Sequence, residues 1–266
     1  VTFEFAGRCI LLDVEGTTSS VSYVYDVLFP YARKQLHSFL VQNWQKEKLN
    51  RVCERLAKDA GAASFANWCE LDSQSDNSQI EKTIARVEAE VIRQMDRDAK
   101  LTGLKELQGM IWTDGYNAGE LHSHVYEDVA PVLMLWKNAG LDVRIYSSGS
   151  VTAQKKFFAN SEAGNLLPYL NGHYDTQIGS KRDSASYKSI ATDTGVATDE
   201  VLFLSDVVDE LRAAKDAGMW TALVVRPGNA PVPDGHGFHS LSSLRDVNIT
   251  SQAPVRRSRP TDKPSS

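Results

Sequence analysis

No stretch of this chain reaches the roughly 20 consecutive apolar residues that a membrane-spanning helix needs, so a spanning protein is not what the sequence describes. Basic tracts are missing as well. The 29 Lys and Arg are outnumbered by 34 Asp and Glu, for a formal net charge of -5. Without a basic block the chain is no natural binder of nucleic acid or of a membrane surface. Cysteine is scarce: Cys9, Cys53 and Cys69 are an odd number, with neither zinc-site spacing nor a disulfide framework. The expectation is three buried thiols in a reducing cytoplasm. The opening VTFEFAGRCILL lacks a basic-then-apolar leader layout and runs straight into a strand. What remains is ordinary globular composition, 42% hydrophobic and 24% charged over 266 residues. That length holds one large domain or a main domain with a smaller one.

Residues 8–12 (RCILL) form a continuous apolar run closed by Asp13, the pattern of a buried parallel strand. The EGTTSS that follows is small and polar, hence loop. From about residue 23 to 105 apolar positions recur at spacings of three and four. YVYDVLFPYARKQLHSFLVQNW, KLNRVCERLAKDAG and SQIEKTIARVEAEVIRQMDRD are therefore predicted helices. LDSQSDNS (71–78) reads as a polar loop, and Gly103, Gly109, Gly115 and Gly119 mark a linker-like stretch. Beyond about residue 125 helix and strand alternate. A helix in VAPVLMLWKNAG stops at Gly140. Strand LDVRIYS, helix VTAQKKFFAN, a short strand within GHYDTQIGSK and helix SASYKSIATDTG come next. Strand VLFLSD, helix DELRAAKDAG and strand WTALVVRPG complete the series. That alternation predicts a parallel sheet covered on both faces, with right-handed crossovers. The fold class is thus α/β: a Rossmann-like parallel-sheet core from residues 1–18 and 125–250, with an inserted all-helical cap at 19–124. The polar, Pro-rich segment 251–266 is expected to be disordered.

In an open parallel sheet, ligands bind beyond the C-terminal ends of the strands. Asp13 stands at the first of these ends, with Glu15 two residues on. Ser147, Ser148 and Gly149 stand at the second, and the loop after it delivers Lys181. Asp206 closes VLFLS, followed by Asp209 and Glu210. Each type has a chemical use. Asp13 can act as a nucleophile, forming an aspartyl-phosphate. Glu15 can protonate a leaving oxygen and then deprotonate water. Asp13 and Asp206, with the backbone carbonyl of Glu15, suit magnesium, which takes few carboxylates plus phosphate and water oxygens. Ser147 offers a hydroxyl, Ser148 and Gly149 offer amides at a helix start, and Lys181 offers a point charge. Taken singly, each residue has a plainer reading as a helix cap, a turn or solvated surface. The conjunction, with every type in order at a strand end or in the loop beyond, favours the chemical reading.

These stretches carry a resemblance. DVEGTT, YSSGS, the downstream Lys181 and SDVVDEL resemble the four motifs of the haloacid dehalogenase-like hydrolase superfamily. More narrowly, LLDVEGTTSSVSYVYDVLFPYA is similar to the opening of the enolase-phosphatases, the acireductone synthases of methionine salvage. Glu15 at the second position after the nucleophile, where most of the superfamily has Asp, is distinctive of that branch. DGYNAGELHSHVYEDVAP, YSSGSVTAQKKFF and LFLSDVVDELRAAKDAGMWTALVVRPGN extend the likeness over most of the chain. The resemblance implies conversion of 2,3-diketo-5-methylthiopentyl-1-phosphate to its enol phosphate, then to the dihydroxy acireductone and phosphate. It implies one Mg2+ per subunit at Asp13, Glu15 and Asp206, catalysis by Asp13 and Glu15, and substrate contacts at Ser147, Ser148 and Lys181. The expected partner is a small-molecule phosphate, and the expected protein a cytoplasmic monomer. One departure is HSH at 122–124, where a Gly-His pair is expected: His124 matches the His and Ser123 replaces the Gly. Tyr116, His122 and His124 return from cap to core, where ordinary packing competes with pocket lining. Alternatives are a capped magnesium phosphatase for another small ester such as a sugar phosphate, a phosphomutase, or a binding module that kept the fold without the chemistry.

Overall fold

The computed structural model describes residues 2–69 and 77–250. Segment 251–266 and most of 71–78 lie outside the described residues. The chain divides into two compact units, one of residues 1–18, 126–150 and from 168 onward, the other of 19–125 and 151–167. Segment 151–167, expected with the sheet, groups with the helices. In chain order the elements begin with strands β1 (Phe3–Phe5) and β2 (Cys9–Leu12). Helices α1 (Phe29–Asn43), α2 (Glu47–Asp59), α3 (Phe65–Cys69), α4 (Asn77–Asp96), α5 (Thr102–Asn117) and α6 (Val129–Asn138) follow. Strand β3 (Asp142–Tyr146), helix α7 (Val151–Ala159), strand β4 (Gly172–Tyr174) and helix α8 (Ser184–Thr194) come next. Strand β5 (Val201–Ser205), helix α9 (Val208–Asp216) and strands β6 (Trp220–Val224), β7 (His239–Leu241) and β8 (Val247–Ile249) end the series.

In the first unit, β4, β3, β2, β5, β6 and β7 lie side by side in that order, all parallel. All four residues of β2 are fully buried, as a central strand with both faces covered requires. The chain runs outward from β2 to β4, returns to β5 beside β2, and runs outward again to β7. The strand order therefore reverses between β2 and β5, and such a reversal opens a crevice at the C-terminal edge. Leu12 pairs with Ile145 on one side and Leu204 on the other, so the residues just beyond these three strands leave from one edge. β1, β7 and β8 are three residues each, too short to show a period in sequence. β1 and β8 form a separate parallel pair.

The three cysteines expected to be buried, Cys9, Cys53 and Cys69, are buried and free, and burial pushes the Cys9 thiol up to about 12. The first unit also contains a buried ion pair: Arg226 Nη2 lies 3.0 Å from Asp128 Oδ2. Asp128 Oδ2 further accepts the Ser243 hydroxyl at 2.7 Å and the Leu244 N–H at 2.6 Å. Burial alone raises the pKa of Asp128, but the Ser243 hydroxyl, Arg226 and the Leu244 amide outweigh it and hold the carboxyl below its usual range. A depressed carboxylate adds stability above its unfolded pKa, about 3.9, and loses it as pH falls through the folded value. Asp128→Asn leaves a buried guanidinium unpaired, which costs about 3–5 kcal/mol. Urea unfolding at a series of pH values is expected to show this gap in full above about pH 4 and closing at lower pH.

The second unit is helical, and one helix overturns the linker predicted at 103–119. α5 runs through Gly103, Gly109 and Gly115. A Cβ at Gly103 meets the Leu56 amide nitrogen at 2.9 Å, and one at Gly115 meets the Tyr31 ring at 2.6–2.8 Å. Those two glycines let α5 approach α2 and α1 closely, which outweighs their poor helix propensity. Gly109 has open space around it, and nothing in the structure explains it. Leu104, Leu107 and Ile111 of α5 are buried with Leu36, Leu40, Val52 and Leu56 in the core of this unit. No helix among the described residues is long and apolar enough to cross a membrane.

Candidate active site

Asp13 leaves β2 at its C-terminal end, where its own N–H still donates to Leu204 O at 3.0 Å. The loop then turns back at once. The Thr17 and Thr18 amides both donate to Val14 O, and the Thr18 hydroxyl reaches Asp13 O at 3.2 Å. Small polar residues make this turn possible, and Gly16 is required twice over. Its φ is +74°, a conformation costing an L-residue about 1–2 kcal/mol. A Cβ there also falls 2.2 Å from Asp206 Oδ2. Gly16→Ala is therefore expected to lower stability by about 1–2 kcal/mol and to disable the strand-end site by displacing Asp206. Thermal melts beside a phosphate-release assay check both.

The Asp13 carboxylate is 6% exposed and held on every side. Its Oδ1 accepts the Val14 N–H at 2.7 Å and pairs with Lys181 Nζ at 2.7 Å. Lys181 Nζ also pairs with Glu210 Oε2 at 2.6 Å. The Ser205 hydroxyl stands between the carboxylates, 3.3 Å from Asp13 Oδ2 and 3.0 Å from Glu210 Oε2. The loop carrying Lys181 is anchored by two aromatics: Tyr187 Oη donates to Lys181 O at 2.7 Å, and Tyr146 Oη to Gly179 O at 3.0 Å. Burial presses the ammonium down, but the charges of Asp13 and Glu210 outweigh it and keep Lys181 protonated. Burial, then the Asp13 charge, push Glu210 upward.

Asp206 follows β5 and is half-buried. Burial first, then the Asp13 and Glu210 charges, push it up to about 7. Negative charge thus exceeds its compensation here even with Lys181 present. A divalent cation relieves that excess, and two carboxylates with phosphate and water oxygens are an ordinary complement for magnesium. Among the described residues no cluster of three His, Cys, Asp or Glu side chains could hold a metal.

The structure joins Asp13 to Lys181 directly and to Asp206 by charge. Ser147 sits beyond β3, nearly buried, with its Oγ accepting the Gly149 N–H at 3.3 Å. Ser147 and Gly149 are thus tied to each other, and Ser148 is exposed. Glu15 is exposed on its loop. In the helical unit Tyr116 is buried and packs by hydrogen bonding: Ser123 Oγ donates to its Oη at 2.9 Å, and Tyr23 Oη lies 3.4 Å away. The Ser123 that replaces an expected Gly uses its hydroxyl in this bond. His122 is exposed, and its carbonyl accepts the Tyr23 hydroxyl at 2.9 Å. His124 Nδ1 accepts the Ser20 N–H at 3.2 Å, which places the proton of a neutral ring on Nε2.

The sequence places Glu210 in a carboxylate cluster with Asp209 without giving it a role, although the signal for one is there. Asp209 points outward to Arg212 at 2.9 Å. Glu210 lies three and four residues before Ala213 and Ala214, on the buried face of α9.

Residues 8–218 match the haloacid dehalogenase-like hydrolase family. Enolase-phosphatase E1 of Stenotrophomonas maltophilia is 45% identical over 91% of this chain and 99% of its own length. That of Drosophila mojavensis is 43% identical over 91% and 98%. The chain belongs to the enolase-phosphatases among the haloacid dehalogenase-like hydrolases. Among solved structures, the UTR4 protein of Saccharomyces cerevisiae superposes with a TM-score of 0.71 at 31% identity, covering 90% of this chain and 99% of that one. The family match ends at residue 218, within the α/β unit, while the enolase-phosphatase likeness covers most of the chain.

Proposed function

We propose that this enolase-phosphatase converts 2,3-diketo-5-methylthiopentyl-1-phosphate to the acireductone and phosphate in methionine salvage, with Asp13 as covalent nucleophile. The observation that carries the reading is the buried Asp13–Lys181–Glu210 chain of charges, set where the strand order reverses and beside Asp206. A carboxylate held on one oxygen by an ammonium and a backbone amide is aimed rather than free to rotate, which favours in-line attack. In the first displacement an oxygen of Asp13 bonds to phosphorus as the bond to the leaving enol oxygen breaks. Glu15 supplies the proton that oxygen takes up. Water then attacks the same phosphorus, Glu15 takes the water proton, and the Asp13 carboxylate is restored.

Lys181 balances charge on the phosphoryl oxygens, and Glu210 keeps Lys181 pointed at Asp13. Ser147 and Ser148 contact the phosphate. Asp13, Asp206 and the Glu15 carbonyl would hold one Mg2+ per subunit, which would supply Lewis-acid polarisation of the phosphoryl and carbonyl oxygens. Glu15 also serves the enolisation, removing the proton beside the carbonyl. Three free, buried thiols suit a cytoplasmic enzyme, and a small-molecule substrate requires no second subunit.

The test is to mix protein, magnesium and the diketone phosphate and follow enol absorbance together with phosphate. Enol absorbance is expected to rise before phosphate appears. Phosphate release from sugar phosphates at rates matching the diketone, with no enol signal, contradicts the reading and favours a general phosphatase.

A further inference from the structure

We propose that the turn Arg226–Asn229 is a positioning element that holds the loop behind Glu15 and so aims its carboxylate. The proposal rests on the acid–base assignment of Glu15 and goes beyond it. The sequence Arg-Pro-Gly-Asn sets the turn. Proline fixes φ at its second position, Gly228 takes φ +88° at the third, and the Asn229 N–H closes onto Arg226 O at 3.1 Å. This is the arrangement that Pro-Gly favours.

The turn grips two successive carbonyls of the loop after the nucleophile. Asn229 Nδ2 donates to Gly16 O at 2.9 Å, and Arg226 Nε donates to Thr17 O at 3.1 Å. Arg226 is itself fixed. Its Nη1 donates to Ser242 O at 3.1 Å, its Nη2 pairs with Asp128, and its guanidinium carbon lies 4.4 Å from the Tyr126 ring centre. The next loop carbonyl, Thr18 O, accepts the Tyr126 N–H at 3.1 Å. Three consecutive peptide carbonyls, at 16, 17 and 18, are thereby held to one buried framework.

Glu15 precedes the first of these carbonyls by one residue, so its direction follows from how they are held. Thr17 and Thr18 are fully buried and Arg226 is 7% exposed. Burying a guanidinium costs several kcal/mol in desolvation, so apolar filling would serve stability as well. The planar fork instead supplies donors in fixed directions. Neither Arg226 nor Asn229 touches the reacting carboxylates through any contact described above, so both act through the loop.

A double-variant cycle tests this on the full chain with magnesium present. Phosphate release is read from the diketone phosphate and, separately, from p-nitrophenyl phosphate. Asn229→Ala is expected to lower kcat by about 10²-fold, the scale of a misplacement near 1 Å, with KM changed by less than about threefold. Combined with Glu15→Gln, it is expected to add little, because the group it aims is already disabled. Asn229→Asp, close in shape but without the amide donor, is expected to match Asn229→Ala and keeps the test valid if the alanine variant unfolds. Losses that multiply in the double variant, or full kcat in both Asn229 variants, overturn the proposal. Wild-type protein inert toward the diketone but active on p-nitrophenyl phosphate overturns the functional reading instead, and the cycle is still read on that ester.

Discussion

Asp13→Asn is expected to lower phosphate release by about 10⁴-fold or more, ~5.4 kcal/mol in activation free energy, while the protein stays folded. Asparagine keeps the shape and can still accept the Val14 amide. Lys181 retains Glu210 as a partner at 2.6 Å, so its charge is not left alone. Asp206 loses the repulsion of Asp13, which is one of the causes of its upward shift. Stability therefore changes little, and what disappears is the ability to form a bond to phosphorus. Steady-state phosphate release beside a thermal melt separates the two effects. Turnover within tenfold of wild type at an unchanged melting temperature removes the nucleophile assignment.

The second large effect is at Lys181. Its side chain is about nine-tenths buried between two carboxylates, so Lys181→Met removes an ammonium in contact with both. Breaking a buried pair on one side costs about 3–5 kcal/mol. Here Asp13 and Glu210 are left facing each other across the Ser205 hydroxyl. Folding then draws a proton onto one of them, so the variant is expected to regain stability as pH falls. Activity is expected to drop by about 10³-fold, the scale of removing one preorganised donor from a transition state. Lys181→Arg is not expected to restore it, since a planar fork does not fit where a compact ammonium meets two oxygens. Urea unfolding at pH 5 and pH 8, with kcat at both, measures these effects. A variant as stable and active as wild type contradicts the charge chain.

Much of this was legible because parallel sheets write themselves plainly. RCILL and VLFLS are apolar runs closed by polar residues, DVRIY alternates half-buried Asp142 and Arg144 with buried Val143 and Ile145, and the strand-end rule then places Asp13, Asp206 and Ser147 on one edge. Lys181 was readable as a lysine in the right loop, though its burial between two acids was not. The glycines of α5 misled for a physical reason. Propensity is local, whereas Gly103 and Gly115 are there because α2 and α1 pass within van der Waals distance. β1, β7 and β8 are too short to carry a pattern. Arg226 falls inside the predicted strand WTALVVRPG and the sequence assigns Asn229 no role, and only the fold brings them to the Thr17 and Gly16 carbonyls.

The most direct test of the account is to look for the phosphoryl group on the protein itself. Enzyme and the diketone phosphate are mixed with magnesium, quenched in acid within a turnover, digested and analysed by mass spectrometry. A phosphoryl group is expected on the peptide containing Asp13, absent in Asp13→Asn and longer-lived in Glu15→Gln, where water lacks its base. Phosphate formed in that first turnover with no phosphoryl group on Asp13, or with one on another residue, contradicts the account.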